Sequence, residues 1–419
     1  MDIVRESKEL LVKNRWLTNG SQYTTPSTEH YPYQWLWDSC FHAIILAQYD
    51  TDAARAELRS LLSRQFGDGM LPHIIYWIPG TLHNFRWGVE GTSSLTQPPM
   101  IAYAVWEIHR HDPNQAFLEE VYPRLLSYYR YLVERRDPHG EHLIGIINPD
   151  ESGEDNSPRF DVPFNAPSDI SYEAHHELRV QLVDENTASN FNVEFLSRHG
   201  GFWVKDVPFN AIVIENLRAL AHIASLLKQE EGEQFANRSV ELITAAMREK
   251  MFDRGEFRST YGLDNKPLIA STWAKFAPLF AGLYSDDEAR RLVQGELLNP
   301  DTFWAPYGMR TTSKEEPAYR AEGFHDKFSW RGPVWMAPHW FVYHGLQRYG
   351  FADEAAQIRQ KSIDCLEKSG FRECFNPETG EGEGAHGFTW GALVLDMNPA
   401  EEQGSTFFVA DIEDRELER

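Results

Sequence analysis

Apolar residues that recur at three- and four-residue steps constrain this chain more than any other feature. Across 206–229, Phe209, Ile212, Val213, Leu217, Leu220, Ala224 and Leu227 fall on one helical face, and Asp206 with Pro208 supplies a start signal. The same period recurs near 3–14, 38–49, 52–66, 96–111, 116–135, 231–252, 272–282, 286–296, 332–349, 352–370 and 388–396, which predicts about twelve helices in all. Several follow one another across short polar turns, at Tyr49–Asp52, Gln229–Gly232 and Gly350–Asp353. Short links set consecutive helices antiparallel, and about six such pairs predict an all-α double ring, an (α/α)6 barrel. Neither a fixed-period repeat nor a low-complexity linker divides the sequence, so one domain over 1–419 is expected.

The longer connections, 15–37, 67–94, 137–171, 184–203, 298–331 and 371–388, hold most of the Gly, Pro, Trp and His. Long ordered connections are where function concentrates. Two of them carry carboxylates that no packing rule asks for: Glu151-Ser-Gly-Glu-Asp-Asn-Ser-Pro-Arg159 and Arg372-Glu-Cys-Phe-Asn-Pro-Glu-Thr-Gly380. With 13 Trp, 17 Tyr and 25 Phe the chain also has rings to stack on sugar faces. Separated carboxylate loops in such a chain suggest cleavage of a glycosidic bond, one carboxyl donating a proton while another activates water. Asp155, at the centre of its turn and followed by Asn156 and Ser157, is preferred as the acid over Glu151 and Glu154. Glu154 sets a second charge beside it. For the base, Glu373, Glu378, Glu381 and Glu383 all compete, and spacing does not choose among them.

Sugar-binding candidates cluster where aromatic loops enter helices. In Tyr31-Pro-Tyr-Gln-Trp-Leu-Trp-Asp38, Asp38 is flanked by Trp35 and Trp37, with Tyr33 just before them. An acid taking hydroxyls beside rings that cover the apolar face is a common grip on a pyranose. The plainer role for Asp38 is a first-turn helix residue favoured by the macrodipole. Gln97, ahead of Pro98 and Pro99, offers both a donor and an acceptor to a hydroxyl, or caps its helix. Trp330-Arg-Gly-Pro-Val-Trp335 repeats the design, with Arg331 equally suited to pair a buried carboxylate. The glycine-hinged loop His73–His83 is a candidate lid.

The formal charge of −23 has the wrong sign for a nucleic-acid partner and disfavours anionic membranes. Cys40, Cys365 and Cys374 lack CxxC spacing, which argues against a disulfide or zinc framework and fits a reducing cytoplasm. The D-x-D-x-D-G calcium pattern is absent too, so no metal or cofactor is expected. The first ten residues have no apolar core of a signal peptide, no run of about 18 apolar residues occurs, and Asp411–Arg419 reads as a charged, frayed tail. A homo-oligomer is compatible with this composition.

Taken in order, Trp37-Asp-Ser-x-Phe-His42, Gln97-Pro-Pro99, Glu151-Ser-Gly-x-Asp-Asn-Ser-Pro-Arg159, Trp330-Arg-Gly-Pro-Val-Trp335, Glu373-x-Phe-Asn-Pro-x-Thr-Gly380 and Phe388-Thr-Trp390 resemble the inverting (α/α)6-barrel glycosidases. The likeness is to glycoside hydrolase family 63 above all, and more distantly to the trehalases. It implies that Asp155 is the general acid and Glu373 the general base, ~6.5–9.5 Å apart. It also sets Trp37, Asp38, Gln97, Trp330 and Arg331 at sugar-binding positions, to which Tyr33, Trp35, Trp335 and Trp390 are added from their loops. Cys374 fills the free position of the base motif. The single-barrel size resembles the mannosylglycerate and glucosylglycerate hydrolases, which makes a small α-glycoside of glycerate the expected substrate. A trehalase-like or disaccharide-specific α-glucosidase is the alternative, and a carbohydrate-binding protein without turnover the second. A glycerate carboxylate calls for a cation, and Arg86, Arg159, Arg198 and Arg331 are candidates.

Overall fold

Helices that are apolar all round alternate along the chain with helices that are apolar on a single stripe, and this decides where each one sits. The computed structural model describes residues 2–18, 20–77, 87–322 and 329–398, and these are mostly helical. In chain order the helices are α1 (Ile3–Lys13), α2 (Leu36–Ala47), α3 (Thr51–Leu62), α4 (Ile101–His111), α5 (Gln115–Arg130), α6 (Tyr172–Ala188), α7 (Val193–His199), α8 (Val207–Leu226), α9 (Glu230–Lys250), α10 (Ala277–Phe280), α11 (Asp286–Leu292), α12 (Met336–Arg348) and α13 (Ala352–Ser369), followed by a 3-10 turn at Thr389–Leu395.

α2 is buried at every position. Each sealed Leu or Ile contributes roughly 1.5–3 kcal/mol, so a helix holding Leu36, Ile44, Ile45 and Leu46 out of water needs neighbours on every side. It has them. α2 packs on α4, α4 on α8, α8 on α10, α10 on α12, α12 on the 3-10 turn, and that turn on α2. The striped helices back onto these: α3 onto α2, α5 onto α4 and α8, α9 onto α8, α13 onto α12, and α1 onto the turn. In α9 the buried residues are Gly232, Ala236, Ser239, Ile243, Ala246 and Met247, a single stripe at helical spacing, with acids and bases on the rest.

The helices differ from expectation in several places. α4 begins at Ile101 rather than near 96, because Pro98 and Pro99 push the residues before them out of helical geometry. α6 and α7 occupy much of the segment 184–203 expected to be a connection. The chain is mostly helical, as expected, with a few short strands besides. The connections carry short antiparallel ladders: β1 (Arg15–Thr18) with β2 (Ser21–Thr24), β3 (Gln34–Trp35) with β4 (Ile74–Ile75), and a four-stranded sheet in the order β8-β7-β6-β5, built from β5 (Gly145–Ile146), β6 (Val204–Lys205), β7 (Thr260–Tyr261) and β8 (Lys266–Pro267). β9 (Arg372–Phe375) and β10 (Gly382–His386) form a last hairpin. Most of these strands are two residues long, too short for an alternating pattern to register. Among the described residues no helix is long and apolar enough to cross a membrane.

Candidate active site

Asp155 is presented by a loop whose other two acids are turned inward and neutralised. Glu151 is fully sealed: Arg136 forks onto it, its Oε1 accepts from the Thr96 backbone N–H at 3.2 Å, and its Oε2 accepts from Ile147 at 2.8 Å. Glu154 accepts two hydrogen bonds from Arg159 at 2.6 and 2.9 Å and one from Trp273 Nε1 at 2.9 Å. Arg159 is itself shared with Asp206 at 2.9 Å. The charge expected beside the acid therefore points away from it into an ion-paired core. Between these anchors Gly153 takes φ +74°, and a Cβ there would lie 2.3 Å from Trp37 Cζ2. Only glycine lets the turn lie flat on that indole. Asp155 is left facing a cavity with 31% of its side chain accessible.

Glu373 reaches the same cavity from β9, where the register shifts between Arg372 and Cys374. Such a bulge re-aims a side chain. Tyr31 donates to Glu373 Oε1 at 2.7 Å and the Ala385 N–H donates to Oε2 at 2.8 Å. Burial raises the Glu373 carboxyl above its ordinary range, these two donors oppose the rise, and the charge of Asp155 adds to it. The competing glutamates lie elsewhere, Glu378 on Arg310 at 2.5 Å and Glu381 in solvent.

The cavity, about 500 Å³, is lined by Tyr31, Trp35, Trp37, Asp38, His73, Trp87, Gln97, Asp150, Gly153, Asp155, Asn156, Tyr172, Arg179, Ser329, Trp330, Trp335, Glu373, Phe388 and Trp390 among others. It opens at the N-terminal ends of α2, α4, α12 and the 3-10 turn, which is why residues distant in sequence meet there. Those ends carry partial positive charge and favour an anionic ligand. Trp330 and Trp335 stack at 4.1 Å and 6°, and Trp390 stands edge-on to Trp37 at 5.0 Å and 85°. Asp38 accepts from Trp390 Nε1 at 2.7 Å, and burial pushes its carboxyl up to about 6. The Gln97 side-chain oxygen accepts from the Trp37 backbone N–H at 3.3 Å.

Two of the residues expected at the site are placed elsewhere. Arg331 is fully buried, donates to Asp161 at 2.9 and 2.5 Å and to the Asn156 carbonyl at 3.1 Å, and does not line the cavity. It ties the acid loop to the Trp330 loop, which is the partner role its chemistry also allowed. Tyr33 packs edge-on against Tyr76 at 4.9 Å, outside the lining. Of the cations considered for a glycerate carboxylate, Arg159 and Arg331 are locked in buried pairs, Arg198 is exposed on α7, and Arg86 lies outside the described residues. Residues 78–83 of the expected lid are outside them as well, while His73 and Ile74 line the cavity.

A cation that does line the cavity was missed in the sequence. Arg179, on α6, pairs with Asp155 Oδ2 at 2.5 Å and with Asp150 Oδ1 at 2.5 Å. Burial raises the Asp155 carboxyl, Arg179 pulls it back, and the charge of Asp150 raises it again. Nothing in the sequence around Tyr31 assigns it a role, and Asp150 and Tyr172 carry no signal. The signal that would have found Arg179 is a largely polar stripe, His175, Arg179 and Asn186 with Leu182, at helical spacing.

Residues 31–391 match the family described as the mannosylglycerate hydrolase MGH1-like glycoside hydrolase domain. The chain is 33% identical to a mannosylglycerate hydrolase of Rubrobacter radiotolerans, covering 94% of this chain and 96% of that protein. It is 29% identical to a glucosylglycerate hydrolase of Mycolicibacterium hassiacum, over 93% and 97%. The crystal structure of a family 63 mannosylglycerate hydrolase from Thermus thermophilus, in complex with Tris and D-glycerate, superposes with a TM-score of 0.85 at 31% identity, covering 94% of this chain and 99% of that one. With both carboxylates on one aromatic cavity and this likeness along its length, the chain belongs to the MGH1-like glycoside hydrolase family.

Proposed function

We propose that this enzyme hydrolyses the α-glycosidic bond of mannosylglycerate or glucosylglycerate with inversion, Asp155 serving as general acid and Glu373 as general base. The observation that carries this is one cavity holding both carboxylates, with a guanidinium beside the acid. Asp155 gives its proton to the glycosidic oxygen as the bond to the anomeric carbon breaks. Glu373 takes a proton from a water that attacks the opposite face of that carbon. The products are glycerate and a sugar whose new anomeric hydroxyl comes from the water. Glu373 has to be ionised for this, and the donors from Tyr31 and Ala385 favour that form. Trp37, Trp330, Trp335 and Trp390 supply apolar faces, and Asp38 and Gln97 hydroxyl partners, to the glycone. Arg179 is a lining cation suited to the glycerate carboxylate. A neutral second sugar, as in trehalose, has no use for it.

The closed order of helix contacts supports an (α/α)6 barrel, and the core that runs through it supports a single domain over 1–419. Three buried free thiols, Cys40, Cys365 and Cys374, fit a reducing cytoplasm.

Turnover on mannosylglycerate, glucosylglycerate, kojibiose and trehalose tests the substrate class. Cleavage of the glycerate glycosides is expected, and preference for either disaccharide would contradict it. Asp155→Asn and Glu373→Gln should each lower kcat by about 10²–10⁴ with unchanged far-UV circular dichroism. Wild-type-like turnover in either variant would remove that residue from its role.

A further inference from the structure

Arg179 poses a problem for the acid. A general acid must carry a proton, yet a guanidinium sits 2.5 Å from Asp155 and favours its ionised form. Asp150 holds the other arm of the same guanidinium at 2.5 Å, so one cation is divided between two carboxylates. All three side chains line the cavity, and the two acids are held by one turn, capped where Asn148 accepts from the Asp150 N–H at 3.0 Å. Among the described residues, the titratable groups that act on this triad include Glu373 and Tyr31 beside Asp155, Tyr76 beside Asp150, and Tyr172 and His175 beside Arg179. The three tyrosines are neutral, burial pushes His175 down to about 3 and leaves it neutral too, and Glu373 is held by its own donors. A substrate carboxylate is an anion that could compete for Arg179.

We propose that Arg179 couples recognition of an anionic aglycone to competence of the acid: the incoming carboxylate takes the guanidinium arm that holds Asp155, and Asp155, freed beside Asp150, takes up the proton it will donate. Asp150 is then a positioning residue. It keeps Arg179 in the cavity when the arm on Asp155 lets go, and its charge favours the protonated form of Asp155. Aglycone choice is thereby exerted on turnover as well as on affinity, because a neutral aglycone leaves Asp155 paired with Arg179, which favours its ionised form. The inference rests on Arg179 receiving the glycerate carboxylate, and it goes beyond that contact to the proton of the acid.

The test compares glucosylglycerate with the matching glucoside of glycerol, which has a CH2OH group in place of the carboxylate, by kcat against pH. Activity that needs protonated Asp155 declines on the alkaline side. In the wild type the decline for glucosylglycerate should fall about one pH unit above that for the glycerol glucoside, a roughly tenfold gap in turnover at high pH. Coincident limbs would overturn the coupling. Variants should then move the limb in opposite directions. Arg179→Gln should raise it for the glycerol glucoside and abolish the gap, while Asp150→Asn should lower it for both substrates. A residue that merely supports the fold would reduce turnover without moving the two limbs apart in sign, and that result would also overturn the proposal. The underlying contact is read separately from KM: Arg179→Gln should raise KM for glucosylglycerate at least tenfold, with partial recovery in Arg179→Lys. An unchanged KM would refute the contact itself, whereas a raised KM with coincident wild-type limbs would refute the coupling alone.

Discussion

Asp38 lies in the cavity wall with 3% of its surface exposed, and its proposed use conflicts with its stability. Its carboxyl is pushed up to about 6 by burial, with the charge of His42 and the Trp390 Nε1–H donor opposing. A carboxyl raised on folding contributes stability that is full below its unfolded value, here 3.8, and is lost as pH rises through about 6. At neutral pH the ionised Asp38 therefore costs on the order of 2–3 kcal/mol, and the proposed contact would use that charge as a strong acceptor for a sugar hydroxyl. Asp38→Asn keeps the oxygen that accepts from Trp390 and removes the ionisation. It should raise thermal stability at pH 7, change it little at pH 4, and raise KM. Equal stabilisation at both pH values would show that the gain is not the lost charge. The placement of such residues was partly legible. Asp155, Asp38 and the tryptophans announce themselves by chemistry out of place, whereas Arg331 and Glu154 are as conspicuous in the sequence and are consumed by buried pairs. Which charge finds a partner is decided by the folded neighbourhood, and sequence spacing does not contain it.

At the scale of elements, the acid loop is a rigid turn clipped at both ends and laid on an indole. Gly153→Ala places a methyl group against Trp37 in a left-handed backbone that L side chains disfavour. The expected result is a loss of about 1–3 kcal/mol in stability and a drop in kcat, because the loop and Trp37 cannot both keep their places. Denaturant unfolding together with steady-state kinetics checks it, and an unperturbed kcat would mean that the turn has slack. α8 and α2 were legible because their apolar residues repeat at helical spacing. α6 was not, since its inward stripe is largely polar: His175 and Asn186 are buried there beside Leu182, with Arg179 on the same stripe. Apolar periodicity finds helices that face a core and overlooks a helix that faces a polar cavity.

Across the whole molecule, the order of helix contacts brings Asp155 and Glu373, some two hundred residues apart in sequence, to one cavity. The pairing of helices could be read from short polar turns, because links of a few residues leave little choice but antiparallel neighbours. The small ladders that steady the loops could not, since two-residue strands are specified by what they lie against. In the proposed reaction a water and a proton act from opposite sides of the sugar, which fixes the stereochemistry of the product. Proton NMR during the first minutes of glucosylglycerate hydrolysis, recorded before mutarotation, reads it directly. The β-anomer of glucose is predicted to form first. The α-anomer appearing first would contradict the roles given to Asp155 and Glu373.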